Sequence, residues 1–248
     1  MVHSFLLIGQ SNMSGRGNKK EALPIDGERI KVLRNGRWQN FYRPVNPDRV
    51  AAGVCLAESF AEAYAKKYDV DVGLIPCADG GTSLNKWAVG DVLFDNAVNC
   101  AKLAQRTSVI VGVLWHQGEA DCSEQLYSTY AERFQIIMDA FRRELDLHDV
   151  PFILGGLGDF LKDRTTDPIL ANYPYVNEQL KLVAQKNPLV GYVSAEGLTS
   201  NPDNLHFSAE SLYHFGIRYF EEFEKFPKSD RINVHISASL DRTAMELL

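Results

Sequence analysis

Ser11, Asp203 and His206 supply a hydroxyl, a carboxylate and an imidazole, the groups from which base-assisted nucleophilic catalysis is built. Ser11 lies in Gly9-Gln10-Ser11-Asn12-Met13-Ser14-Gly15, and the other two share Asp203-Asn204-Leu205-His206. In that chemistry His206 takes the serine proton, while Asp203 fixes the imidazole tautomer and stabilises the imidazolium. Each pattern alone also has an ordinary reading. Gln10, Ser11 and Asn12 are turn formers, and a histidine ahead of a helix can be a plain loop residue beside an N-cap at Asn204 or Ser208.

Acyl transfer also needs donors aimed at the oxygen that becomes an anion, each worth about 3–4 kcal/mol of barrier. The Ser11 backbone N–H is one candidate. A glycine of Gly80-Gly81-Thr82-Ser83 is a second, because a residue without Cβ lets the backbone approach a ligand closely. The sequence does not choose between Gly80 and Gly81. The Gln117 amide, within Trp115-His116-Gln117-Gly118-Glu119-Ala120-Asp121, is a third. Gln10, Asn12, His116 and Glu119 are candidates for supporting or substrate-binding roles, with Glu119 suited to bind loop N–H groups or orient Gln117. Trp87 and Trp115 are core-type residues, yet both neighbour polar, glycine-rich loops where an indole face suits a sugar. His116, Glu119 and Asp121 match no metal-ligand spacing, so no metal is expected.

Clusters this far apart in sequence meet if each follows a strand of one parallel sheet. Four consecutive apolar residues, 5–8, bounded by Gly9, read as a short strand buried on both faces. Further buried strands are expected over 70–76, 108–115, 151–157 and 190–193. Helices are expected over 51–68, 92–106, 127–145, 177–185 and 209–223. Alternating strands and helices imply parallel pairing through right-handed crossovers. The polar clusters then emerge at one sheet edge, where open α/β sheets place their ligand sites. Asn35-Gly36 between two short apolar runs signals a hairpin, read as a surface insertion near 29–41. The domain is expected to span 1–228, with 229–248 continuing no earlier pattern and read as a tail.

Composition narrows the partners. A net charge of −6 lacks the basic face that phosphate contacts require, so no nucleic-acid partner is expected. No apolar run approaches the ~18 residues of a membrane span, so no membrane partner is expected either. The N-terminus has no basic n-region and too short an apolar run for a signal peptide. The chain therefore reads as cytoplasmic, although a removed signal would leave no trace. Four cysteines without a C-x-x-C pair indicate neither a zinc knuckle nor a redox motif. The oligomeric state is not legible.

Met13 occupies the position where the nucleophile elbow of α/β-hydrolases needs glycine, so a different serine-hydrolase architecture is required. In order, the four clusters resemble the blocks of the SGNH (GDSL-like) hydrolases, in the branch of sialate O-acetylesterase-like and family 6 carbohydrate esterases. The resemblance spans roughly residues 3 to 225. It implies a three-layer α/β/α flavodoxin-like sandwich with a five-stranded parallel sheet, and Ser11, Asp203 and His206 as a triad without metal or cofactor. It assigns the oxyanion to Ser11, a glycine of the second block and Gln117. The resemblance does not settle the substrate; the expected one is a small-molecule or oligosaccharide O-acetyl ester, such as acetylated xylan or a sialic-acid-type sugar. The alternatives are an SGNH hydrolase of another short-chain ester (lipase, thioesterase or acetylhydrolase) and a non-catalytic flavodoxin-like ligand binder. A polar segment over 17–50, with Arg16 just ahead of it and Lys19, Lys20, Arg29, Arg34 and Arg37 within it, suits a carbohydrate or acidic group better than a lipid.

Overall fold

Phe5, Leu6, Leu7 and Ile8 are at most 1% exposed and form the centre of strand β1 (Val2–Gly9). The strand runs further toward the N-terminus than its apolar core because the polar residues there find buried partners. His3 Nδ1 lies 2.9 Å from the Tyr64 hydroxyl, and Ser4 Oγ accepts a 2.9 Å hydrogen bond from Ser108. A computed structural model describes residues 2–228, so the expected tail over 229–248 lies outside the described residues.

Strands β4 (Asp71–Pro76) and β5 (Ser108–His116) flank β1 in parallel, followed outward from β5 by β6 (Phe152–Gly155) and β7 (Val190–Val193). The expected five parallel strands are thus present, in the order β4-β1-β5-β6-β7. The order reverses between β1 and its neighbours, which creates the crevice where doubly wound sheets bind ligands.

Among the described residues the sheet has seven strands rather than five. The hairpin of β2 (Ile30–Arg34) and β3 (Arg37–Asn40) turns at Asn35 and Gly36, both at positive φ. Instead of standing on the surface it joins the sheet: β2 pairs in parallel with β4, and β3 forms an antiparallel edge. Burial explains this. Ile30 and Val32 are fully buried, and the Trp38 ring lies over Gly73 of β4, where a Cβ would come within 2.6 Å of it.

Side chains alternate across β5, which shows how helices cover the two faces. Gly112 faces Phe5 and Phe223, and His116 packs edge-on to Phe207 and Phe215; this face carries α2 (Ala57–Tyr68) and α7 (Ala209–Phe223). Trp115 points the other way, against Phe134 of α5 (Tyr130–Leu145). There α5 packs beside α3 (Val92–Ala104), through Phe94 and Phe141, and beside α6 (Tyr173–Lys186). The result is a three-layer α/β/α sandwich. Among the described residues no helix is long and apolar enough to cross a membrane.

Helix α2 starts at Ala57, six residues later than the sequence suggests. The missing turn is spent elsewhere: Gly53 and Val54 N–H donate to the carbonyls of Gly15 and Gly17, and Gly17 N–H donates to Val54. Alanine propensity over 51–56 is overridden by these cross-chain bonds. The helix expected over 127–145 is likewise broken, into a short α4 (Glu124–Tyr127) and α5.

Candidate active site

Ser11 opens the one-turn helix α1 (Ser11–Ser14) at the carboxyl end of β1. Gly9 makes the sharp exit possible: at φ 130° it lies against the His116 carbonyl, which a Cβ would approach to 2.1 Å. Met13 and Ser14 N–H donate to Gln10 O, and Gly15 N–H to Ser11 O, so the turn's own bonds leave the Ser11 N–H unused. Ser11 is 5% exposed.

His206 reaches Ser11 from the loop before α7. Its Nε2 is 3.1 Å from Ser11 Oγ, and its Nδ1 is 2.6 Å from Asp203 Oδ2. That pairing requires Nδ1 to carry the proton toward the carboxylate, leaving Nε2 free to accept one. The other Asp203 oxygen accepts the N–H groups of Leu205 and His206, each at 3.0 Å. Partial burial pushes the Asp203 carboxyl up, but these N–H bonds and the imidazole together hold it below the usual carboxylate range. Ser208 does cap α7, accepting the Ser211 N–H, so the ordinary capping role and the contact of His206 with Ser11 coexist in one loop.

Asn12 bridges three loops. Its Nδ2 donates to Glu119 Oε1 at 2.5 Å and to Leu205 O at 3.2 Å, while its Oδ1 accepts the Phe207 N–H at 3.1 Å. Glu119 therefore holds Asn12 rather than Gln117. His116 is fully buried under this loop, its Nε2 3.1 Å from Gly156 O and its Nδ1 3.8 Å from Glu119. Burial lowers its pKa, which favours the neutral ring. It faces the α7 layer, not the Ser11 crevice.

The two glycines of the second cluster differ. Gly80 is the neighbour of Ser11, since a Cβ on it would lie 3.4 Å from the Ser11 Cβ, but its N–H already donates to Asp48 Oδ2 at 2.9 Å. Among the described residues the Gly81 N–H meets no acceptor, and the space beside its Cα is open.

Gln117 is wholly buried, its Nε2 2.6 Å from Asp121 Oδ2, 3.0 Å from Thr82 O and 3.2 Å from Gln10 Oε1. Two amide hydrogens face three acceptors. Its Oε1 accepts from the Tyr130 hydroxyl at 2.9 Å. Gln10, in turn, accepts the N–H groups of Gly118 and Ala120. Trp87 and Trp115 are 0% exposed and meet edge to face, with ring centroids 5.6 Å apart. Neither offers a face for a sugar. The indoles support the loops from beneath, Trp87 donating to Thr82 and Trp115 to Tyr130.

Several supports have no such role in the sequence reading. Asp48 forms a buried two-pronged pair with Arg16, at 2.7 and 3.0 Å, and holds Gly80. Asn46 exchanges two hydrogen bonds with Ala78. Asp121 accepts from Leu84 N–H and Arg133 as well as from Gln117. Pro44-Val45-Asn46-Pro47-Asp48 carries the turn chemistry that could have flagged the first two. Three of the basic residues over 16–37 already hold protein partners. Arg16 is taken by Asp48, Arg29 pairs with Asp69, and Arg34 donates to the carbonyls of Tyr42 and Pro44.

Residues 1–225 match the family model described as carbohydrate esterase, sialic acid-specific acetylesterase. The chain is 27% identical over 242 residues to a probable carbohydrate esterase of Arabidopsis thaliana, covering 86% of each chain. A 1.6 Å crystal structure of an Arabidopsis thaliana protein superposes with a TM-score of 0.81 at 26% identity, over 90% of this chain and 98% of that one. The crystal structure of NanS superposes at 0.69 and 18% identity, over 90% and 97%. A carbohydrate acetylesterase from Xanthomonas citri gives 0.66 and 15%, over 88% and 55%. The last two likenesses bear on the fold.

Proposed function

Because the chain belongs to the carbohydrate esterase family of sialic acid-specific acetylesterases, and is thus a carboxylic ester hydrolase, we propose that Ser11 is its nucleophile and an O-acetylated sugar its substrate. The observation that carries this reading is the continuous hydrogen-bond chain from Asp203 through His206 to Ser11. Ser11 Oγ attacks the acetyl carbonyl as its proton passes to His206 Nε2, and Asp203 stabilises the imidazolium. The tetrahedral intermediate collapses, and Nε2 returns the proton to the departing sugar hydroxyl. Water, deprotonated by the same nitrogen, then cleaves the acyl-serine and frees acetate.

The oxyanion is received by backbone N–H groups of Ser11 and Gly81, the two candidate donors that bind no acceptor among the described residues. The Gln117 amide adds the hydrogen it otherwise shares between Thr82 O and Gln10 Oε1. The sugar is of the sialic-acid or the acetylated-xylan type; the family description supports the former.

The test is hydrolysis of p-nitrophenyl esters of increasing chain length by wild type and Ser11→Ala, followed by acetate release from O-acetylated sialic acid and from acetylated xylan. Turnover should fall steeply by butyrate and drop at least about a thousandfold in the variant. Preference for long chains, or equal turnover by both proteins, would reject the reading. The two sugars decide the substrate type.

A further inference from the structure

We infer that Asn12 is a positioning residue: its carboxamide clamps the backbone on both sides of His206 and thereby sets the distance between imidazole and nucleophile. The inference rests on the proposed roles of Ser11 and His206. Asn12 directly follows Ser11, so both ride on the same turn at the end of β1. Its Nδ2 donates to the carbonyl of Leu205 and its Oδ1 accepts the N–H of Phe207, the residues immediately before and after His206. One side chain thus ties the two peptide units flanking the imidazole to the turn that carries the hydroxyl. Residues 11 and 206 are far apart in sequence, and this is a short mechanical link between them.

The link works in only one orientation of the amide. If oxygen and nitrogen were exchanged, the oxygen would face the Leu205 carbonyl and the nitrogen the Phe207 N–H, two like pairs. Glu119 enforces the working orientation, because its Oε1 accepts the second Nδ2 hydrogen at 2.5 Å. Both residues are buried, Asn12 at 1% exposed and Glu119 at 5%. The side chain has two donor hydrogens and one oxygen, and the site uses all of them. Aspartate cannot replace it, since it lacks the donors and would set a carboxylate oxygen against Glu119. Combining Asn12→Asp with Glu119→Gln reverses the polarity of that contact, so that the introduced amide donates and the introduced carboxylate accepts. The carboxylate can still accept the Phe207 N–H, and the one unfavourable contact left is its other oxygen against the Leu205 carbonyl.

The experiment measures kcat, KM and the pH profile of kcat/KM on p-nitrophenyl acetate for Asn12→Asp, Glu119→Gln, the double variant and Ser11→Ala, with a thermal melt for each. Misplacement of the base by about an ångström costs on the order of a hundredfold. Asn12→Asp should therefore lose about a hundredfold in kcat with KM within about twofold. The double variant should recover at least about tenfold of that loss while remaining below wild type. A purely structural role would lower the melting temperature without this split or this rescue. Asn12→Asp with kcat within about twofold of wild type, or a folded double variant no faster than Asn12→Asp, would overturn the inference. Ser11→Ala separates the two claims. If it too retains full activity the proposed nucleophile is wrong; if it alone is inert, only the clamp is wrong.

Discussion

The two arms of the site are bonded in opposite ways. The Asp203–His206–Ser11 arm is linear and partly wet: 18% of the His206 side chain and 40% of the Asp203 side chain face solvent, and among the described residues Nε2 has a single partner. The arm holding Gln117 is a dry mesh. Gln117 and Asp121 are wholly buried, and together they join the loops after β1, β4 and β5 and helix α5. A proton can pass along a line in which each nitrogen is committed once. A buried mesh cannot lose a member without stranding donors or acceptors away from water, at about 1–3 kcal/mol per group. Changes in the first arm should therefore act on rate, and changes in the second on rate and stability together.

The largest separation is expected at Asp203→Asn. The asparagine oxygen can still accept the Leu205 and His206 N–H groups, so the loop keeps its shape. Its NH2 now faces Nδ1, which must give up its proton and become an acceptor. Nε2 then carries the hydrogen and cannot take one from Ser11. The expected result is a loss of about 10⁴ in kcat with a melting shift under about 4 °C. A large fall in melting temperature, or a loss below about tenfold, would break the comparison from the linear side.

Gln117→Ala tests the mesh. It removes a proposed donor to the oxyanion, worth about 10²–10³ in kcat, and leaves Asp121 Oδ2 and Thr82 O each short of one donor. Activity and denaturant stability should fall together, the latter by about 1–3 kcal/mol. Full stability with lost activity would mean that the arms are alike. Full activity with lost stability would make Gln117 a joint and nothing more.

This contrast also explains which parts are legible in the sequence. The strand β7 and helix α7 fall where periodicity puts them, over 190–193 and 209–223, because their apolar patterns are set by the sheet they cover. That Ser11, His206 and Asp203 come together is legible because each lies in a polar loop following a strand of one parallel sheet. The mesh is not. Asp48 and Asn46 lie in a stretch that reads as polar and irregular, and their partners, Arg16, Gly80 and Ala78, are remote in sequence. Trp87 and Trp115 look fit for a sugar because sequence registers proximity to a polar loop but not which side of the loop a ring occupies. The hairpin at 30–40 is legible as a hairpin, yet its docking on β4 depends on Gly73 leaving room for Trp38, a pairing without local signal.

The smallest effect on rate, and the sharpest on stability, is expected at Asp48→Asn. Asp48 and Arg16 have side chains only 5% and 8% exposed, so solvent screens the pair little. Burial pushes the Asp48 carboxyl up, but the bonds from Arg16 and the Gly80 N–H outweigh it and hold the group below its ordinary range. A carboxyl lowered on folding adds stability above its unfolded value, about 3.9, and that stability is lost as pH falls through the lower folded value. The introduced amide can keep the Gly80 N–H through its oxygen, so kcat at pH 7 should stay within about threefold. That oxygen can also keep one Arg16 N–H, but the amide has no charge and its nitrogen faces the other. The buried guanidinium is therefore left uncompensated, and stability at pH 7 should drop by about 3 kcal/mol. Urea unfolding of wild type and variant from pH 7 down to pH 3 reads the difference directly. It should hold steady above about pH 4 and narrow below, as wild-type Asp48 takes up a proton. A constant gap across that range would mean that packing, not the ion pair, secures the Gly80 loop, and a large loss of kcat at pH 7 would make Asp48 part of the arm that holds Gln117.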